Sequence, residues 1–310
     1  MNNTLDSTLD DTLNNTLNNT FDRTANRIAA RQLDNLTSAL FVPAGNQKLI
    51  QSAIAKNISA VVVDLEDAIP PADKAEARKG LAEDITALRQ SASTIMVRVN
   101  QPWTMQLRDL EAAVIAQADV IMIPKVESAI SIQVAADVLD ELNDSNTILI
   151  SQIETAKGLL AMPQIAEARA DRHAALMLGP EDLALDLNCE SNRKTMTVHA
   201  QSLITAARAY GLHAIGSPGS ITEIHDMDAY TDQLKAGRRM GFSSVVAIHP
   251  RQLKAIDEVY KIAASEADAA QDIIRENDKH QGRPFMWNGE MVDAPIVERA
   301  RALLAKYRAQ

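Results

Sequence analysis

Eight short apolar runs recur along the chain, and each gives way to polar or turn-forming residues. Val61-Val62-Val63 leads into Asp64-Leu65-Glu66-Asp67, Ile95-Met96-Val97 into Arg98-Val99-Asn100, and Ile121-Met122-Ile123 into Pro124-Lys125. Ile148-Leu149-Ile150 leads into Gln152-Ile153-Glu154, and Leu176-Met177-Leu178 into Gly179-Pro180-Glu181-Asp182. Phe41-Val42-Pro43, His213-Ala214-Ile215 and Val245-Val246-Ala247-Ile248 complete the set. A strand buried on both faces reads as a continuous apolar run. Helical patterns at 45–57, 71–90, 105–117, 128–143, 156–170, 196–210 and 228–240 alternate with these runs. Strand alternating with helix gives a parallel sheet. Polar groups gathered at the C-terminal ends of many such strands mark a (β/α)8 TIM barrel with its site on that face. A doubly wound fold could give similar counts, but no Gly-x-Gly-x-x-Gly follows any strand, so dinucleotide binding has no support.

The 310 residues exceed the ~250 of a lone barrel and leave two tails. The expected organisation is a low-complexity tail and leading helix at 1–37, a barrel at 38–264 and a C-terminal helical extension at 265–310 able to reach a neighbouring subunit. Thr-Leu recurs four times within residues 1–20 among Asn, Asp and Ser; the composition favours disorder, with a clasping helix as the alternative. Residues 22–38 read as a helix, and Gln281 to Pro295 as an irregular stretch before a last helix at 296–308. One cysteine, Cys189, excludes an internal disulfide framework and suits a reducing compartment. No secretory signal or membrane-length apolar run is visible, so the expected location is cytoplasmic with no membrane partner. The net charge of −10 argues against nucleic acid.

Glu154 and Asp182 carry the sharpest chemistry. They follow consecutive strands, which in a barrel lie ~4.8 Å apart, so both carboxylates can converge on one cation. Hard oxygen ligands without a second cysteine or a spaced His pair favour Mg²⁺ over zinc. The competing reading is that each caps the helix it precedes, and Glu181 rivals Asp182 as ligand. Asp64 and Glu66 alternate to one side, with Arg98 ending the next strand beside them. Arg98 is read as an ion-pair partner or as an anchor for carboxylate or enolate oxygen; both hold if an acid orients the guanidinium. Glu66 joins Arg98 among the candidate catalytic groups, and Pro124, Gly179 and Pro180 are candidate substrate contacts. Lys125 is read as solvated or paired rather than as a Schiff-base former, and His249 and Cys189 as bland.

In their order these segments resemble the citrate lyase beta-subunit-like family of the HpcH/HpaI aldolase and acyl-CoA lyase superfamily. The carrying motifs are LFVP at 40–43, VVDLEDAIPPADKAEAR at 62–78, RVNQPWT at 98–104, MIPKVESA at 122–129 and QIETAKGL at 152–159. LMLGPEDLALDL at 176–187, GSPGS at 216–220, AIHPRQL at 247–253 and NGEMVDAP at 288–295 complete them. The resemblance implies a Mg²⁺-dependent lyase that cleaves a 3-hydroxy-acyl-CoA of the malyl, methylmalyl or citramalyl type into an acyl-CoA and a 2-oxo acid. It also implies Glu154 and Asp182 as metal ligands, Arg98 as holder of oxygen charge, and Asp293 as proton donor or acceptor at the thioester's alpha carbon. A homo-oligomer, with a trimer favoured, is implied too, in which Asp293 can come from a neighbour. The chain departs from many relatives at Asn46, Ser52 and Ser244-Val245, where they carry basic residues. That leaves open a citrate lyase beta subunit acting on a carrier-protein thioester. A malate synthase, a thioesterase and a non-catalytic barrel scaffold also stay open.

Overall fold

The computed structural model describes residues 28–309, so the readings of 1–20 and of the first part of 22–38 lie outside the described residues. The chain forms two compact units, the first ending at Ile256 and the second starting at Asp257.

In the first unit, the short helix α1 (Ile28–Arg31) precedes eight strands alternating with helices. These are β1 (Ser38–Pro43), α2 (Gln47–Ala55), β2 (Ala60–Asp64), α3 (Lys74–Leu88), β3 (Thr94–Arg98), α4 (Trp103–Ile115) and β4 (Val120–Ile123). They continue with α5 (Ala129–Glu141), β5 (Ile148–Ile153), α6 (Ala156–Glu167), β6 (His173–Leu178), α7 (Pro180–Asp186) and α8 (Arg193–Ala209). β7 (His213–Ile215), α9 (Met227–Met240), β8 (Val245–Ala247) and α10 (Pro250–Tyr260), which runs past the unit boundary, complete the series. The strands pair in parallel in the order β7-β6-β5-β4-β3-β2-β1-β8. An isolated parallel bridge between Ile215 and Ser244 joins the two ends. The result is a nearly closed barrel, as the sequence pattern predicts. The short helix α7 between β6 and α8 is an addition that the periodicity did not reveal.

Local chemistry sets the helix starts. The side chains of Asn46, Thr155 and Asp226 accept backbone N–H groups of Leu49, Gly158 and Ala229, and Asn192 forms a capping box with Thr195. These side chains satisfy donors that a helix leaves unpaired in its first turn.

Alternation along the strands fills the barrel. Val62, Met96, Val120, Met122, Ile148, Ile150, Met177 and Val246 form one buried cluster, joined by Ala29 and Leu33 from around α1. Val62 is in register with Met96, and two residues further on Asp64 is in register with Arg98. The same inner row therefore passes from apolar core to charge.

The loop after β3 is fixed from beneath. Asp109, fully buried in α4, accepts hydrogen bonds from the Asn100 backbone N–H (2.8 Å) and amide (2.6 Å), and from Arg78 Nε (2.5 Å).

The second unit holds α11 (Ala264–Lys279), an antiparallel hairpin of β9 (Phe285–Trp287) and β10 (Glu290–Val292), and α12 (Ala294–Ala309). Ala267, Ala270, Ala300 and Leu304 pack α11 on α12, while Phe285, Val292 and Val297 seat the hairpin. The stretch read as irregular thus contains a hairpin. Its turn is Asn288-Gly289, with φ of 48° and 85°, the left-handed pair that a tight two-residue hairpin needs and that Asn-Gly supplies.

Removing Asp109 would strand two buried donor groups. Asp109→Ala is expected to cost about 3 kcal/mol, in the range for breaking a buried pair from one side. Chemical denaturation monitored by circular dichroism measures the loss.

Candidate active site

The in-register pair Asp64 and Arg98 anchors the barrel mouth. Arg98 donates from Nε to Asp64 Oδ1 (2.8 Å) and from Nη2 to Asp64 Oδ2 (2.7 Å), a bidentate fork. Asp64 also accepts the backbone N–H groups of Glu66 and Ala68, which fixes the turn after β2. The remaining Arg98 nitrogen, Nη1, lies 3.0 Å from Glu66 and 3.4 Å from Asp67. The ring of Phe41 supports the guanidinium from one side at 4.8 Å, a cation–π contact. Burial works against the charge of Arg98, but the Asp64 hydrogen bonds and the surrounding carboxylates outweigh it and raise its pKa.

Glu154 sits above β5 on the same inner side as Ile150 and Gln152, because side chains two apart share a face. It is 3% exposed. Its Oε2 accepts the backbone N–H of Lys125 (2.8 Å), and its Oε1 lies 3.3 Å from Gln152 Nε2. Lys125 reaches this position with φ of 49°, an uncommon conformation for a side-chain-bearing residue. Gly179 makes room on the other side: a Cβ there would collide with both Cγ and Oε1 of Glu154. Only glycine lets the carboxylate lie against the β6–α7 turn.

Asp182 is not at the end of β6. It lies in the first turn of α7, whose opening Gly179-Pro180 brings it over the mouth. Lys125 links the two carboxylates, since its Nζ is 3.6 Å from Asp182 Oδ2 and 3.1 Å from Glu66 Oε1. Asp64, Arg98, Glu154, Gly179, Pro180 and Asp182 all line one cavity of about 460 Å³, with Phe41 and Gln152 in its wall.

The mouth is rich in negative charge. Asp64, Glu66, Asp67 and Asp182 pair with Arg98 and Lys125, and Glu154 is buried close to them. Burial, then the charges of Glu66 and Asp182, push the Glu154 carboxyl up to about 7. Burial raises Glu66 as well, against the pull of Arg98. Such a site gains from a further cation. Among the described residues no group of three or more His, Cys, Asp or Glu is gathered as a metal cage. Mg²⁺ takes one or two carboxylates and completes its shell with water and substrate. The pair Glu154 and Asp182 fits that requirement and not the closed cage of structural zinc.

The other candidates differ in their surroundings. Glu181 also lines the cavity, but its carboxylate accepts hydrogen bonds from Ser220 Oγ (2.5 Å) and the Ile221 N–H (3.2 Å), so it is engaged in joining two loops. Lys125 is paired. His249 accepts the Arg251 backbone N–H through Nδ1, and Cys189 is exposed and free. Pro124 is buried at the end of β4 and is not among the cavity-lining residues. Asp293 belongs to the second unit, where its carbonyl accepts the first backbone hydrogen bonds of α12. Phe41 and Gln152 were not singled out from the sequence. Strand alternation alone could have found them, since each occupies an inner position one or two steps from the charged row.

Gly179→Ala should leave the barrel folded but displace Glu154. The expected result is at least about tenfold weaker divalent-cation binding, as when the support of a ligand is lost, with the circular dichroism spectrum unchanged. Calorimetric titration with Mg²⁺ reads it.

Comparison with known proteins places this geometry in a lineage. Residues 37–250 match the HpcH/HpaI aldolase/citrate lyase family. The chain is 30% identical over 286 residues to a (3S)-malyl-CoA thioesterase of Cereibacter sphaeroides, covering 90% of this chain and 97% of that protein. It is 28% identical over 277 residues to the citrate lyase subunit beta of Leuconostoc mesenteroides subsp. cremoris, covering 86% and 91%. Among solved structures it is similar to protein CitE of Mycobacterium tuberculosis in complex with magnesium, acetoacetate and coenzyme A. That likeness has a TM-score of 0.70 and 26% identity, and covers 88% of this chain and 98% of that one. With a family match across most of its length on a barrel of the expected topology, the chain belongs to the HpcH/HpaI aldolase/citrate lyase family.

Proposed function

We propose that this protein is a Mg²⁺-dependent carbon–carbon lyase acting on a 3-hydroxy-acyl-CoA that bears a free carboxylate, of the malyl, methylmalyl or citramalyl type. The observation that carries the reading is the convergence of Glu154, Asp182 and Arg98 on one cavity. Glu154 and Asp182 would hold the ion, which when bound supplies Lewis acidity and a template for the hydroxyl and carboxylate of the substrate. Magnesium and small oxo acids in crystals of relatives support the same assignment.

In the cleavage direction the bond between the thioester's alpha carbon and the carbinol carbon breaks. Its electron pair stays with the alpha carbon as a thioester enolate, the carbinol carbon becomes the carbonyl of the 2-oxo acid, and the hydroxyl proton passes to solvent water at the open mouth. Arg98, its plane fixed by Asp64 and its Nη1 held by Glu66 and Asp67, places its positive charge beside the developing oxygen charge. Glu66 holds Arg98 and Lys125 in place. Asp293 is assigned the proton delivered to the alpha carbon, or removed from it in the reverse condensation. Gly179 and Pro180 shape the wall against which the substrate lies. The assembly that fits this role for Asp293 is a homotrimer in which one subunit's C-terminal unit serves a neighbour's barrel, a head-to-tail closed ring.

A second reading is hydrolysis of a malyl thioester to malate and free CoA, favoured by the likeness to the (3S)-malyl-CoA thioesterase. A citrate lyase beta subunit acting on a carrier-protein thioester is the third, favoured by the Leuconostoc relative.

A panel of acyl-CoA substrates with and without Mg²⁺ separates these. The lyase yields a 2-oxo acid and an acyl-CoA with no free thiol, whereas the thioesterase releases thiol. Exhaustive chelation should abolish turnover, and activity that survives it would remove the metal from the mechanism. Arg98→Lys should lose about 100-fold or more in kcat, because a point charge cannot reproduce the planar fork.

Mixing Asp293→Asn protein with Glu154→Gln protein tests the shared site. Two inactive proteins should regain part of the native activity after subunit exchange. No recovery, with exchange verified by mass, would place Asp293 outside a shared site.

A further inference from the structure

Lys125 occupies a position that neither the resemblance nor the proposed chemistry explains. Its main chain and its side chain serve different partners. The backbone N–H donates to Glu154 Oε2 at 2.8 Å, and the φ of 49° is what turns it there. The ammonium extends to Glu66 Oε1 at 3.1 Å, Asp182 Oδ2 at 3.6 Å and Asp67 Oδ1 at 3.9 Å. One residue therefore bonds one candidate metal ligand through its backbone and holds a positive charge against the other. The nitrogen is partly buried among these carboxylates. Charges a few ångströms apart near a protein surface interact strongly, and this cation stands beside Asp182.

We infer that Lys125 is a built-in counter-ion that holds the affinity of the Glu154–Asp182 pair for a bare divalent cation low. The inference rests on the reading of those two residues as the metal ligands. The ammonium compensates Asp182 and Glu66 when no metal is held and repels an incoming dication. The same positive charge, together with Arg98, attracts an anionic oxo acid. Cation and oxo acid consequently bind with positive coupling, since the oxo acid's carboxylate offsets the charge that opposes the metal. Lys125 is a positioning and affinity-setting residue, not a group that touches the reacting atoms.

The test is calorimetric titration of Mg²⁺ into the full-length protein without substrate, repeated in saturating pyruvate. Lys125→Met should bind Mg²⁺ at least about tenfold more tightly than the native protein when pyruvate is absent. Lys125→Arg, which keeps the charge, should stay near the native value. The tightening of Mg²⁺ binding by pyruvate should shrink in Lys125→Met. Lys125→Gln serves as a second neutral variant, and thermal melting checks that each protein is folded. Equal or weaker Mg²⁺ binding in both folded neutral variants, with native binding intact, would overturn the counter-ion role and leave the metal site standing. Absence of Mg²⁺ binding by the native protein even with pyruvate would overturn both the metal reading and this inference.

Discussion

A sheet closed on itself forces every second side chain inward, and that pleat organises this molecule from its core to its chemistry. Along β5 the inner positions run Ile148, Ile150, Gln152, Glu154, three rises from apolar core to buried carboxylate. Along β2 and β3 the same inner row passes from the paired Val62 and Met96 to the paired Asp64 and Arg98. On β2 and β3 the change from packing to charge takes place within one pleat repeat, and on β5 it takes two, with Gln152 between. The apolar layers below exclude water from the side chains above, and this exclusion raises the stakes of every charge at the mouth. The core is therefore the floor of the site and the cause of its electrostatics.

Burying that much charge is unfavourable unless the partners are in place. Asp64 meets the requirement by committing both oxygens to Arg98 and to two backbone N–H groups of its own turn. Arg98 is then held in one plane, with Phe41 against its face, and its outer nitrogen remains directed at Glu66 and Asp67. Glu154 has no such arginine. It is held by a backbone N–H and by an adjacent amide, and burial, with the charges of Glu66 and Asp182, raises its carboxyl pKa against the pull of that backbone hydrogen bond. The two halves of the mouth thus differ in kind: Asp64 is paired with a guanidinium, and Glu154 is held by neutral donors. Lys125 stands between them, its backbone on Glu154 and its ammonium on Glu66.

The supports of the site are as specific as its polar groups. Gly179 is required by the volume of Glu154, and Gly158, at the start of α6, by the carbonyl of Val126, 2.5 Å from where a Cβ would lie. Both follow from close approach of a side chain or carbonyl to backbone, a demand that only a residue without Cβ can meet. In the second unit Gly289 answers a different demand, the left-handed turn of the β9–β10 hairpin.

The sequence alone determined the eight strands, their parallel order and the end at which the chemistry gathers, because buried strands declare themselves as apolar runs and inner and outer faces alternate by two. Asp64, Glu66, Arg98 and Glu154 were legible for that reason. The Asn-Gly turn was also written in the chain, but it lay inside a segment with little strand-length patterning and read as irregular. Other features belong to three dimensions. Asp182 reaches the mouth from a short helix rather than a strand end, and Glu181, one residue away, is drawn off to Ser220 by the loop beside it. Lys125 turns its backbone to one carboxylate and its ammonium to others 57 and 59 residues distant in the chain. Local spacing cannot choose between Glu181 and Asp182, or tell a paired lysine's partners. Those choices depend on which strand ends become neighbours when the sheet closes, and only the tertiary structure brings them together.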